Sequence, residues 1–294
     1  MTWIGRSTYG ARLSSLNTEI SKLSSQVAQV QVDAASGLKI HKPSDAGAAV
    51  GRLHSLREQV ADQDVWQANS SYAMSVLTTA EEAVNELVDA FTRARELAVQ
   101  MASETYDGND RDNAAIEVSN ILQDAIQMGN IEFDGRYLFA GAAYDGEAYD
   151  STGAYIGSAS EPYTLVTDTI EVATGFDGSD ILQGTTDIYA ALNTLITDLT
   201  NNDPTAIRAA LGDIDDSIDQ LSTALTRIGI EWQTAEDANV LAGSMSTTLK
   251  GALSDVEDAD ALETYTRLSE LQIAYEAALQ VGSTVASANL FSFL

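Results

Sequence analysis

The sequence has no cysteine among its 294 residues, which excludes a disulfide framework, a thiolate metal site and a thiol nucleophile. It has only three prolines, Pro43, Pro162 and Pro204, so little interrupts long helices. Basic residues are scarce: 15 Lys and Arg stand against 44 Asp and Glu, a formal charge of −29. A chain this acidic repels phosphates, and no nucleic-acid partner is expected. No apolar run reaches the ~18 residues of a membrane span, so no membrane insertion is expected. Met1 to Leu23 has neither the hydrophobic block nor the cleavage site of a conventional signal peptide. The two histidines, His41 and His54, have no partner histidine at metal-ligand spacing. Phosphate-binding glycine loops, dinucleotide fingerprints and nucleophile elbows are also missing. The expectation is a protein that is not an enzyme and takes no cofactor and no metal.

What is present is periodicity. Apolar residues recur at Leu13, Leu16, Ile20, Leu23, Val27, Val30 and Ala34. The steps alternate between three and four, the narrow seam of a coiled coil. Gly37 supplies a stop, and Lys42-Pro43-Ser44-Asp45 reads as a turn in which Ser44 or Asp45 caps the next helix. That helix is expected over 46–103. Its seam includes Met74, Leu77, Val84, Val88, Phe91 and Ala98 and carries charge at Glu81 and Arg95. At ~1.5 Å per residue it would be roughly 85 Å long, so the expected molecule is an elongated rod. Residues 104–112 read as a turn, and a shorter helix is expected over 113–128. Asp107-Gly108-Asn109-Asp110-Arg111-Asp112 lacks the spacing of a calcium loop and reads as turn and cap.

Phe133-Asp134-Gly135-Arg136 then signals a turn, and the pattern changes. Residues 142–184 are rich in Gly, Tyr, Thr, Ser and Asp, with short β segments at Tyr163 to Thr167 and Thr169 to Ala173. Helix resumes at 187–198. Pro204 suits a first helical turn after Asp203. A second seam follows at Ile207, Leu211, Ile214, Ile218, Leu221, Leu225, Ile228, Trp232 and Ala235. A polar run from Ser254 to Asp260 marks a break. The last helix, over 259–289, carries Leu268, Leu271, Tyr275, Ala278, Gly282 and Val285 in register. The pattern predicts a mainly α fold, an elongated antiparallel helical hairpin with coiled-coil character and a small β-rich insert at its tip. Seams this narrow at both termini need partners to cover them.

Charge is segregated along the chain. Residues 1–60 hold seven basic and four acidic side chains, a net of +3, so the remaining residues carry −32. No Lys or Arg lies between Arg136 and Arg208. A near-neutral N-terminal segment suits packing, and an acidic remainder suits water.

Particular segments resemble those of bacterial flagellins and flagellar hook-associated proteins. Ala34-Ala35-Ser36-Gly37-Leu38-Lys39-Ile40, with Pro43-Ser44-Asp45-Ala46-Gly47, is similar to the family's N-terminal motif and the turn after it. The run Ser254 to Glu263, with Glu257, Asp258 and Asp260, resembles its C-terminal acidic motif. The tail from Leu271 to Leu290 resembles its closing helix. Gly135, Arg136, Phe139 and Gly141 fall in a segment like the one that precedes the family's variable insert. Gly135-Arg136-Tyr137-Leu138-Phe139-Ala140-Gly141 and the closing Leu290-Phe291-Ser292-Phe293-Leu294 are most like the hook–filament junction class. The acidic C-terminal run is closer to flagellin, so a short flagellin is the alternative.

The resemblance implies a structural subunit of the extracellular flagellum, exported by the flagellar type III pathway. Its partners would be copies of itself, a neighbouring hook-associated protein, flagellin, and an export chaperone before assembly. It also implies nested layers. Residues 1–43 and 259–294 would form a terminal coiled-coil core, 44–141 and 185–258 a long-helix bundle, and 142–184 a solvent-facing variable insert. Leu13, Leu16, Ile20, Leu23, Val27 and Val30 would then face Leu268, Leu271, Tyr275, Ala278 and Val285.

Overall fold

The computed structural model describes residues 4–290; of residues 4–10, 12, 13, 43 and 285–290 only the backbone is described. The chain divides into two compact units, Met1–Ala61 with Thr247–Leu294, and Asp62–Ser246. Seven α-helices, three short 3₁₀ turns and two small antiparallel strand pairs make up the described secondary structure.

The terminal unit is built on α1 (Ile4–Ser36) and α7 (Ala261–Leu290), which pack against each other. Gly37 ends α1 at φ +74°, a conformation that favours glycine. Asp260 caps α7, its carboxylate accepting from Leu262 N at 2.8 Å and Glu263 N at 3.1 Å. The unit also holds the first part of α2 (Val50–Met101) and the last part of α6 (Pro204–Glu257). Two short 3₁₀ turns, Pro43–Asp45 and Gly47–Ala49, precede α2. Ser44 and Asp45 therefore do not cap it. Asp45 instead turns back, its carboxylate accepting from Lys42 N at 2.9 Å and His41 N at 3.3 Å.

In the second unit the remaining lengths of α2 and α6 run antiparallel. Arg95 Nε meets Asp215 Oδ1 at 2.5 Å, whereas near the other end Asn239 Nδ2 donates to Gln67 O at 3.1 Å. Two shorter helices, α3 (Gly108–Gly129) and α5 (Ile188–Thr200), pack together within it. α3 starts five residues before the expected Asn113. Asp107 and Asp110 exchange side-chain-to-backbone bonds of 3.0 and 3.2 Å, a capping box that fixes the start. Asp187 and Asp203 cap α5 and α6 in the same way, each accepting from two backbone N–H groups.

The buried stripe of α2 differs from the expected seam. Ala73, Val76, Leu77, Ala80, Ala83, Val84, Leu87, Phe91, Ala94 and Ala98 are buried. Met74 and Val88 are only half-buried, and Glu81 and Arg95 are exposed. The stripe repeats at three positions per heptad, the wider face of a helix that buries more than one side. α6 shows the same offset. Ile207, Ile214, Leu221, Ile228 and Ala235 are buried as expected, but Ala210, Ser217, Ala224 and Ala238 complete the stripe. Leu211, Ile218, Leu225 and Trp232 flank it, partly buried against the core. Small residues thus share the stripe with fully buried large ones such as Phe91, Ile214 and Ile228.

The C-terminal end of α2 is closed by cations. Arg111, 3 % exposed, donates from Nε to Met101 O at 2.9 Å and from Nη2 to Ser103 O at 2.8 Å. Arg208 Nη2 reaches Ala102 O at 3.0 Å. Positive charge here satisfies carbonyls that the helix leaves unpaired and opposes the negative end of its dipole.

The segment after α3 begins with a hairpin, β1 (Glu132–Phe133) and β2 (Arg136–Tyr137). Its two-residue turn has positive φ at Asp134 (52°) and Gly135 (73°). A second hairpin pairs β3 (Tyr163–Leu165) with β4 (Glu171–Ala173), Thr164 opposite Val172. A single-turn α4 (Gly178–Ile181) precedes α5. Residues 142–184 are not uniformly solvent-facing. Ala148, Tyr149, Val166, Val172, Phe176 and Leu182 are fully buried in the same core as Leu77, Phe91 and Ile214. Close approach fixes this packing: a Cβ on Gly129 would lie 2.1 Å from Tyr189 Oη and 2.9 Å from the Tyr149 ring.

Candidate assembly surface in the terminal unit

α1 turns Leu16, Ile20, Leu23, Val27, Val30 and Ala34 to its more covered side. α7 does the same with Leu268, Leu271, Tyr275, Ala278 and Gly282. The stripes meet in antiparallel sense: a Cβ on Gly282 would lie 3.4 Å from Leu16 Cδ2 and 3.5 Å from Ile20 Cδ1. The side chains of Leu13 and Val285, which the sequence places in these seams, lie outside the described residues. Coverage by one partner helix is incomplete. Val30 is 8 % exposed, whereas the other seam residues are half-buried. The opposite side of α7 is apolar as well, with Leu262 80 %, Tyr265 59 % and Ile273 65 % exposed. A coiled-coil position that is half-wet in a two-helix pair becomes dry when further helices close around it.

Below the seam the two terminal motifs meet in a clasp. Lys39 N donates to Glu257 O and Ala259 N donates to Gly37 O, each at 2.8 Å. These bonds form an isolated antiparallel bridge between Leu38 and Asp258. Lys39 Nζ reaches Asp255 O at 3.1 Å, and Arg57 forms an ion pair with Glu257, which is 8 % exposed. Ile40, Ala46 and Leu53 form a small core with Leu253 and Val256 beside it. His41 Nε2 lies 2.9 Å from Asp33 Oδ1, tying the turn back to α1. Donation from the Lys42 backbone N–H, helped by the Ser44 hydroxyl and the His41 N–H, holds the Asp45 carboxyl below the usual carboxylate range. Its contribution to the turn is therefore complete above the ordinary carboxylate pKa and is lost as pH falls through the lowered value.

The structure thus brings Gly37, Asp45, Glu257, Asp258 and Asp260 into one region; the Pro43 side chain lies outside the described residues. It does not bring the other motif residues there. Gly135, Arg136, Phe139 and Gly141 belong to the second unit. Arg136 stacks over the Tyr144 ring at 4.6 Å, and Phe139 is buried. Gly141 has φ +60°, and a Cβ there would lie 1.9 Å from Ser158 O. Sequence reasoning missed Arg57, Leu53 and Leu253 in the clasp. Their apolar spacing was visible, but the pairing of Arg57 with Glu257, 200 residues apart, carries no local signal.

Among the described residues no group of His, Asp and Glu could hold a metal ion, and no helix is long and apolar enough to cross a membrane.

Comparison with known proteins agrees in both halves of the chain. Residues 7–144 match the family model described as the bacterial flagellin N-terminal helical region, and residues 211–294 match the bacterial flagellin C-terminal helical region. Phase 2 flagellin of Salmonella typhimurium is 29 % identical over 208 residues, covering 68 % of this chain and 38 % of that protein. The chain thus spans well under half the length of that relative. FlgL of Bacillus cereus superposes with a TM-score of 0.62 at 20 % identity, over 68 % of this chain and 100 % of that one. The flagellar junction protein FlgL of Legionella pneumophila gives 0.56 at 14 %, over 69 % and 99 %. At such identities these likenesses establish the fold.

Proposed function

Because the chain belongs to the bacterial flagellin family, we propose that it is a structural subunit of the flagellum that forms a ring at the hook–filament junction. One observation carries this choice within the family. The fold extends over 100 % and 99 % of two solved FlgL chains, whereas the sequence match to the Salmonella flagellin extends over 38 % of that protein. A junction subunit couples hook to filament and needs no reaction centre.

In this reading 1–43 and 259–294 form the terminal core, 44–141 and 185–258 the bundle, and 142–184 the variable insert. The half-covered seams of α1 and α7 close when copies of the chain bring further helices against them. Leu16, Ile20, Leu23, Val27, Leu268, Leu271 and Tyr275 are the residues that lose water in that step. Before assembly the same seams need shielding, which is the role of an export chaperone. Export runs through the flagellar type III pathway, and the neighbours after assembly are a second hook-associated protein and flagellin. A second reading, a short flagellin that forms the filament itself, is favoured by the family models and by the flagellin relatives.

Deleting the gene separates the two readings. The junction reading expects intact hooks without filaments, with flagellin shed into the medium. Filaments of normal length on the mutant's hooks would overturn it.

A further inference from the structure

The unit Asp62–Ser246 contains no lysine. Its cations are six arginines against 33 carboxylates, a net of −27. All four lysines, Lys22, Lys39, Lys42 and Lys250, fall in the terminal unit, whose net charge is only −2.

Each of the six arginines is already engaged inside its own unit. Arg93 pairs with Glu117 at 2.7 Å and Glu96 at 3.1 Å, and Arg95 pairs with Asp215 at 2.5 Å. Arg111 and Arg208 bind the last carbonyls of α2. Arg136 lies over Tyr144. Arg227 binds Glu161 at 2.5 Å and Asp180 at 3.2 Å. Of the six, only Arg93, Arg95 and Arg227 pair with carboxylates among the described residues, so the surface presents far more carboxylates than the cations of the same unit can balance. Many repel along one helix. Glu82, Glu86 and Asp89 on α2 are exposed at spacings of four and three, as are Asp213, Asp216 and Asp219 on α6 at three and three. Like charges at these spacings destabilise a helix, and a net charge this far from zero opposes the compact state.

We propose that mobile cations, beyond the unit's own arginines, screen these carboxylates and so help hold the unit folded. The cations are a diffuse screening layer, so the response follows ionic strength and not the identity of the ion.

The test is thermal unfolding of the full chain at neutral pH in about 10 mM and about 150 mM NaCl, between which the screening length falls from ~30 to ~8 Å. The midpoint is expected to rise by about 10 °C or more. Tetramethylammonium chloride, whose cation cannot be coordinated closely, should give the same rise. A variant with Glu82→Gln, Glu86→Gln, Asp89→Asn, Asp213→Asn, Asp216→Asn and Asp219→Asn should melt higher in low salt and respond to salt less than half as strongly. A midpoint indifferent to salt overturns the proposal, and so does a response to NaCl that tetramethylammonium fails to reproduce, which would indicate a bound ion.

Discussion

Tyr149 shows how tightly the second unit is packed and where it is imperfect. Its ring is fully buried, 4.8 Å from the centroid of Tyr189 and 5.4 Å from that of Tyr155. Its hydroxyl has no hydrogen-bond partner. Burial pushes the phenol pKa strongly upward, so it stays neutral and contributes bulk, not charge. A buried donor left unmade costs about 1–3 kcal/mol, which removing the oxygen recovers in part. Tyr149→Phe is therefore expected to raise stability by about 1 kcal/mol in a denaturant titration, with the slope unchanged. A loss of stability would show that the hydroxyl has a role this structure does not give it. Nothing in the sequence marked Tyr149; its burial depends on Gly129 and Gly178, far off in the chain, leaving room for its ring and hydroxyl.

At the scale of elements, the terminal seams were legible because large apolar residues recur at steps of three and four with polar residues between them. The same rule found one half of each stripe in α2 and α6, Leu77, Val84, Phe91, Ile207, Ile214 and Ile228 among it, and missed the other half. Ala73, Ala80, Ala94, Ala210, Ser217 and Ala224 carry little hydrophobic weight in a sequence, yet they are buried in the core beside the large residues. The charges at Glu81 and Arg95 warned that half of the expected seam of α2, the half with Met74 and Val88, was off by one position. Capping was partly legible. Asp203 before Pro204 gave its helix start, whereas Asp45 was drawn into a backward turn by two neighbouring N–H groups. The seam carries its own prediction. Leu16→Asp or Leu271→Asp places a carboxylate in the α1–α7 pairing, where burial of an unpaired charge is prohibitive. Either variant should fail to form sedimenting assemblies while circular dichroism retains the helical signal of Asp62–Ser246. Assembly at the parent level by either variant would sink the seam account.

At the scale of the molecule, charge and connectivity tell one story. The sequence showed a near-neutral start and an acidic remainder. The structure sharpens the division: the near-neutral part is the terminal unit with its half-covered apolar seams, and the acidic part is a unit whose arginines are all internally engaged. The insert was the least legible region. Its buried residues, Tyr149, Val166, Val172, Phe176 and Leu182 among them, follow no regular period, and part of its packing rests on tyrosine–glycine contacts. The central claim, that this chain is a junction subunit and not the filament polymer, is tested most directly by counting its copies on purified hook–filament complexes by quantitative mass spectrometry. A ring requires a small fixed number per hook that does not change with filament length. A count that rises in proportion to filament length, into the thousands, would contradict the account and make the chain a flagellin.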